Sequence, residues 1–285
     1  MQKIWVCGAR GQIGQAVNDV VDKLEFEMLD TDVDDLDVTD TDEVLRFGEM
    51  NRPDIIINCS GMTDISSCEE NPSQAFKVNA LGARNLAIVA AKMQAKMVQL
   101  STDDVFDGKS TEPYTEFDIT NPGTVYGKSK LAGENYVKEF TTKHFIVRST
   151  WVYGKGQNFI NGFLKKVDAG EQLSIASDQF GSPTSANELA RFLLHLVHTS
   201  EYGTYHATNK GVCSRYAFAQ EILKMTGKTA SMQPVPTVMS DFSKVRPAYA
   251  VLDNFIMSMV PIYDFPDWQD SLRKYLEERG LYHAE

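Results

Sequence analysis

Lys3-Ile4-Trp5-Val6-Cys7-Gly8-Ala9-Arg10-Gly11-Gln12-Ile13-Gly14 is a short apolar run followed by glycines at 8, 11 and 14. Beyond it, Ile13, Val17, Val20, Val21 and Leu24 recur with the period of an amphipathic helix. Strand, glycine turn and helix in this order predict a nucleotide-binding start to the chain. Glycine permits the tight turn and lets the backbone approach a pyrophosphate, and the helix N-terminus offers N–H groups and a positive dipole end. The G-x-x-G-x-x-G spacing is a variant of the dinucleotide fingerprint. A glycine turn without a ligand is the plainer alternative, and the surrounding strand and helix weigh against it. Gly8, Arg10, Gly11, Gln12, Ile13 and Gly14 are thus candidate cofactor contacts.

Glu25–Asp30 reads as a second strand ending in an acid. Asp30 there suits an adenosine ribose 2′-hydroxyl and disfavours a 2′-phosphate. Arg10 pulls the other way, so the cofactor is NADH or NADPH with NADH favoured. Seven aspartates crowd Asp30 to Asp42. A calcium loop fails in detail, with Asp35 where glycine is needed and Thr41 where glutamate is needed. A solvated loop with an N-cap at Thr39 or Asp40 is the better account, and Asp37 and Val38 are placed beside the adenine.

Asp54–Asn58 is a buried strand that delivers Cys59, Ser60 and Gly61, small residues that let a cofactor lie close. A long helix from about 72 to 94 carries Asn79, a buried amide that must find partners. Lys96–Leu100 is the next strand and delivers Ser101 and Thr102. A helix from about 124 to 140 and a strand at 144–148 follow. Alternating strands and helices predict an α/β fold, a Rossmann-type doubly wound parallel sheet.

The 124–140 helix carries Tyr126 and Lys130, one turn apart on one face. A free phenol has a pKa of about 10, and a neighbouring ammonium lowers it by roughly 1–3 units. The pair is a plausible acid/base device. With 11 tyrosines, roughly one such pair arises by chance, so its weight comes from where it stands.

From about Tyr153 the grammar changes to short strands, loops and prolines. Residues 1–153 read as the nucleotide-binding domain. Residues 154–285 read as a smaller, discontinuous α/β substrate domain, with about 186–208 returning to the first. A cleft between the two is the place for a substrate. The net charge of −11 and pI near 5.0 speak against nucleic-acid or anionic-membrane partners. No apolar run reaches the ~20 residues of a membrane span, and no signal peptide is recognised. Cys7, Cys59, Cys68 and Cys213 read as free thiols, as in a reducing cytoplasm.

The motifs taken together resemble the dTDP-4-dehydrorhamnose reductase family of the extended short-chain dehydrogenase/reductase superfamily. They are Gly8-x-x-Gly11-Gln12-Ile13-Gly14, Asn58-Cys59-Ser60-Gly61, Ser101-Thr102-Asp103-x-Val105-Phe106, Tyr126-Gly127-x-Ser129-Lys130-x-x-Gly133-Glu134, Arg148-Ser149-Thr150-Trp151-Val152-Tyr153, Asp178-Gln179-x-Gly181-x-Pro183-Thr184 and Arg246-Pro247. The resemblance spans nearly the whole chain. It implies hydride transfer to the C4 ketone of a 6-deoxy-4-keto nucleotide sugar. Tyr126 is then the proton donor, Lys130 its partner on the nicotinamide ribose, and Thr102 a hydrogen-bond donor to the ketone. It adds Ser101 and Asn79 to the cofactor contacts, and Asp103, Trp151, Gln179 and Arg246, the last toward the diphosphate, to the substrate contacts.

Several positions depart from the family pattern. Ala16 stands where some members have a metal-binding Glu, which implies no metal. Ser66, Thr124 and Ala250 replace Asp, Asn and Ser. A related nucleotide-sugar epimerase, dehydratase or reductase, or a non-catalytic nucleotide-binding regulatory subunit, remains a competing reading. The oligomeric expectation is a monomer or homodimer.

Overall fold

A computed structural model describes residues 1–239 and 247–283. Its centre is a six-stranded, wholly parallel sheet. Five strands come from the first half: β1 (Gln2–Cys7), β2 (Phe26–Thr31), β3 (Ile55–Asn58), β4 (Lys96–Thr102) and β5 (His144–Ser149). Between them lie α1 (Gln12–Val20), α2 (Thr41–Asn51), α3 (Ile65–Glu70), α4 (Pro72–Phe76), α5 (Ala83–Met93) and α6 (Val125–Phe140). The second half adds β6 (Val152–Tyr153), α7 (Phe159–Asp168), β7 (Leu173–Ala176), β8 (Phe180–Gly181), β9 (Thr184–Ser185), α8 (Ala186–His198) and β10 (Gly203–His206). It closes with β11 (Cys213–Ser214), α9 (Arg215–Thr226), β12 (Met232–Val235), α10 (Phe255–Met259) and α11 (Trp268–Glu278).

The sheet order is β10-β5-β4-β3-β1-β2. The chain leaves β1 for β2 on one side and returns to β3 on the other. That reversal opens a crevice at the carboxyl ends of β1 and β3, where open α/β sheets bind ligands.

Alternation along each strand builds two cores. Ile4, Val6, Ile55, Ile57, Val98 and Val147 face α1 and α8, where Val17, Leu189, Phe192 and Leu193 cover them. Trp5, Ile56, Met97 and Ile146 face the other way, against Val44, Leu86, Val89 and Val137 of α2, α5 and α6. Both faces are covered, so the strands read as near-continuous apolar runs. A third core joins α7, α9 and α11 through Ile160, Phe163, Phe218, Ile222, Leu272 and Leu276. Beside it β7 pairs with β12. No helix among the described residues is long and apolar enough to cross a membrane.

Two local expectations need correction. The second strand does not end at Asp30 but at Thr31, whose carbonyl accepts the N–H groups of Gly8 and Ala9. The helix expected at 72–94 is interrupted by a π-helical turn at Lys77–Gly82. The wider turn falls where the backbone is crowded. A Cβ on Gly133 of α6 would lie 2.3 Å from the Asn79 carbonyl oxygen. The helix N-cap near 40 is Asp40, which accepts the Glu43 N–H.

This close approach separates two glycine substitutions by sign. Gly133→Ala is expected to destabilise by about 1–3 kcal/mol through overpacking. Gly162→Ala in α7, where no described residue lies within 4 Å of the added methyl, is expected to stabilise by up to ~1 kcal/mol through helix propensity. Urea denaturation of the two variants checks both.

Candidate active site

The glycine turn is shaped by what it must approach. Gly8 has φ +75°, and a Cβ there would meet the Ser60 nitrogen at 2.7 Å. At Gly14 it would meet the Gly8 carbonyl oxygen at 2.4 Å, inside the turn itself. Gly11 caps α1 without a side-chain hydrogen bond, and the first turn of α1 carries no acid. The N-terminal N–H groups of α1 are therefore not taken by a capping side chain, which suits an anionic diphosphate.

In front of this turn lies a cleft of about 530 Å³. Gly11, Gln12 and Ile13 line it from the turn, and Cys59, Ser60 and Gly61 from the end of β3. Ser101, Thr102 and Asp103 reach it from β4, Tyr126 and Lys130 from α6, and Trp151 from the segment after β5. Twelve of the sequence-derived candidates thus meet in one cavity.

Helix α6 is aimed at the cleft by its start. Thr124 caps it, its hydroxyl accepting the Gly127 N–H at 2.9 Å. A threonine at this position does the capping work of the asparagine expected from the family pattern. Gly127 packs tightly on the Asp104 carbonyl, where a Cβ would come within 2.0 Å. This sets Tyr126 beside the Thr102–Asp104 turn. Thr102 caps that turn by accepting the Asp104 N–H, and its hydroxyl donates to Asp103 Oδ1 at 3.1 Å.

Lys130 is buried, and desolvation pushes its pKa from 10.5 to about 8 even though Glu134 and Cys59 favour the charged form. A methyl added at Gly61 would stand 3.7 Å from its Nζ. Burial also pushes the Cys59 thiol up to about 12, so it is an inert thiol at neutral pH. Glu134, one turn beyond Lys130, closes the Tyr126–Glu134 motif but had no role assigned to it from sequence. Its Oε1 accepts from Ser101 Oγ (2.5 Å) and Arg148 Nε (2.9 Å), and its Oε2 from the Arg148 guanidinium (2.7 Å). The 126, 130, 134 spacing is the signal that could have found it.

Other candidates stand elsewhere. Asp30 is exposed, its carboxylate accepting from Asn18. Arg10 turns its guanidinium to Asp34 and Asp35, 2.7 Å from each, and its N–H goes to Asp32. Asp37 accepts the Thr39 N–H, and Val38 is buried in the core with its carbonyl taken by Asn85. Asn79 does not line the cleft. Its amide braces the chain behind it, accepting from Met62 N–H and donating to Met62 O and Ser129 Oγ. Gln179 is buried outside the cleft lining, its Nε2 without a hydrogen-bond partner among the described residues. Arg246 lies outside the described residues. Ala16 is packed in the core beneath the turn. Among the described residues, no group of three or more His, Cys, Asp or Glu could hold a metal.

Trp151 adopts φ +46°, uncommon for a bulky residue. Its indole lies against Gly181, where a Cβ would come 2.6 Å from Cε2. Arg215 stacks on it, with Cζ 3.5 Å from the ring centroid. Arg215 also lines the cleft, and no motif marks it in the sequence.

A doubly wound parallel sheet, a dinucleotide-type turn, and a Thr and Tyr-x-x-x-Lys set in one cleft define an extended short-chain dehydrogenase/reductase. The family described as the RmlD substrate binding domain matches residues 1–280. The chain is 35% identical to the spore coat polysaccharide biosynthesis protein SpsK of Bacillus subtilis, across 98% of this chain and 99% of that one. A dTDP-4-dehydrorhamnose reductase structure from Clostridium acetobutylicum superposes with a TM-score of 0.95 at 40% identity, covering 98% of this chain and 100% of that one. One from Bacillus anthracis, solved with NADP, gives 0.94 at 35% identity with the same coverage. The chain belongs to the dTDP-4-dehydrorhamnose reductase family.

The burial of Lys130 has a measurable consequence. Its folded pKa is depressed, so stability is fully present above the unfolded value of 10.5 and lost as pH falls through about 8. The wild type is expected to gain about 3 kcal/mol on Lys130→Met over that window, at ~1.4 kcal/mol per unit. Below pH ~7 the difference between the two is flat. Parallel stability curves from denaturant titrations across pH would refute this.

Proposed function

We propose that the protein reduces the C4 ketone of dTDP-4-dehydro-6-deoxy-L-mannose to dTDP-L-rhamnose. The observation that carries the reading is the convergence of the glycine turn, Thr102, Tyr126 and Lys130 on one cleft. Gly8–Gly14 and the N-terminus of α1 would hold the diphosphate of the dinucleotide. When bound, its reduced nicotinamide supplies the hydride.

The chain's own groups handle the charge that develops on the ketone oxygen. Thr102 Oγ1 donates to it, in place of its present bond to Asp103. Tyr126 delivers the proton from its hydroxyl, and the Lys130 ammonium, one turn along, stabilises the phenolate left behind. Trp151 and Asp103, both in the cleft lining, border the sugar. At pH 7 Lys130 is mostly charged, since about 8 lies above that pH.

NADH is the preferred cofactor in this proposal. Asp30, Asp32, Asp34 and Asp35 gather beside the turn, and three of them already engage Arg10, Asp32 at its backbone N–H and Asp34 and Asp35 at its guanidinium. A 2′-phosphate meets that negative field and must compete for the one guanidinium. The reaction belongs in the cytoplasm, carried out by a monomer or homodimer.

NADH oxidation with the dTDP-linked 4-keto sugar, followed by absorbance, tests the reaction. Tyr126→Phe should bind NADH with unchanged affinity and lose roughly 10²–10⁴-fold in turnover. A fully active Tyr126→Phe, or no turnover by folded wild type, would sink the reading. For the cofactor, kcat/KM with NADH should exceed that with NADPH by about tenfold, the effect of ~1.4 kcal/mol of repulsion. The reverse order would show that Arg10 leaves its aspartates for the phosphate.

A further inference from the structure

Arg215 is the first residue of α9 and lies on the cleft wall built by the second half of the chain, with Trp151, Asn158 and Phe159. Its guanidinium carbon is 3.5 Å from the Trp151 ring centroid and 4.8 Å from that of Phe159. Two aromatic faces therefore hold it. Stacking uses the flat face of a guanidinium, whereas its N–H donors lie in the plane and point outward at the edge. A stacked arginine is thus a pre-oriented fork for paired anionic oxygens.

The charge balance of the cleft gives this fork a purpose. Among the described residues its lining has two cationic side chains, Lys130 and Arg215, and one acid, Asp103. Lys130 is buried beside Tyr126 on α6 and is committed to the reacting end. The protein as a whole carries −11, a field that opposes an anionic ligand. A nucleoside diphosphate sugar is such a ligand, and among the described residues Arg215 is the lining cation outside the reacting end. The amino end of α9 adds to it, since Ser214 caps this helix by accepting the Ala217 N–H, with the dipole's positive pole beside Arg215.

We propose that Arg215, held by Trp151 and Phe159, binds the diphosphate of the nucleotide sugar. The proposal rests on the reduction assigned above for the identity of the substrate. It makes Trp151 a platform as well as a wall: Gly181 supports the indole, and the indole supports the guanidinium.

Calorimetric titration of the full chain with dTDP and with thymidine separates the phosphate contribution from that of the base. In Arg215→Ala, dTDP affinity should fall about 10–100-fold, the worth of charge-assisted hydrogen bonds. Thymidine affinity should stay within about twofold, NADH affinity should be unchanged, and Arg215→Lys should recover part of the loss. In turnover, KM for the sugar nucleotide should rise more than kcat falls. If Arg215→Ala fails to bind NADH, Arg215→Gln replaces it as the uncharged variant. Near-wild-type dTDP affinity in the uncharged variant overturns the proposal. So does a parallel loss of thymidine, which would mean that Arg215 only holds Trp151 in place. Wild-type chain that binds dTDP through Arg215 yet turns over no keto sugar supports the diphosphate site while striking the reduction.

Discussion

The carboxylate of Glu134 is wholly buried and accepts hydrogen bonds from Ser101 and twice from Arg148. Three elements meet at it. Ser101 precedes Thr102 at the end of β4, Arg148 lies on β5 just ahead of Trp151, and Glu134 sits one turn beyond Lys130 on α6. A buried ion pair adds little net stability, because desolvating both charges offsets their attraction. Removing one partner is costly, about 3–5 kcal/mol, because it strands the other. Such a pair therefore enforces geometry more than it stabilises. Here it fixes α6 against the carboxyl ends of β4 and β5, and with it the distance from the Tyr126–Lys130 face to Thr102.

That clamp works because the backbones around it are allowed to touch. Gly133, adjacent to Glu134, lets α6 press on the π-helical turn at Asn79, and Gly127 lets it press on Asp104. Asn79 answers by tying the Met62 backbone to Ser129 of α6. Lys130 is left in a space too dry for an easy positive charge, with Glu134 on its own helix as counter-charge. Burial and counter-charge oppose each other, and burial wins by enough to bring the lysine's titration near the working range of an acid/base site.

Much of this was legible from residue spacing. Glycines at 8, 11 and 14 after an apolar run specify a turn with no room for side chains, and the 126/130 interval specifies one helix face. These are local constraints, carried by neighbours in sequence. Contacts set by tertiary approach were not legible. The π turn at 77–82 depends on where α6 lands. The rotation of Arg10 toward Asp34 and Asp35 depends on the path of the loop after Thr31. Asp30 read as a strand-ending acid because nothing in the sequence distinguishes it from Thr31, the residue that actually receives the turn's N–H groups. Arg215 carried no pattern at all, since its partners lie 64 and 56 positions away at Trp151 and Phe159.

The Asp178-Gln179-x-Gly181 stretch shows how a motif can be read twice. From sequence its polar members drew attention, yet Gln179 is buried away from the cleft lining. The glycine is the member whose geometry touches the site. Trp151 holds a left-handed backbone conformation uncommon for its size, its carbonyl accepts the Thr184 N–H, and its ring rests where any Gly181 side chain would be. β6 and β9 pair immediately beyond, fixing the two segments against one another. An unusual backbone angle persists only when its surroundings over-determine it. Here they do so on the wall facing Tyr126's cleft, with a cation stacked on the indole. The second half of the chain thus contributes a rigid aromatic and a charge, while the first contributes the turn and the acid. The reaction needs both, because the glycine turn alone fixes a nucleotide but not the ketone that is to be reduced.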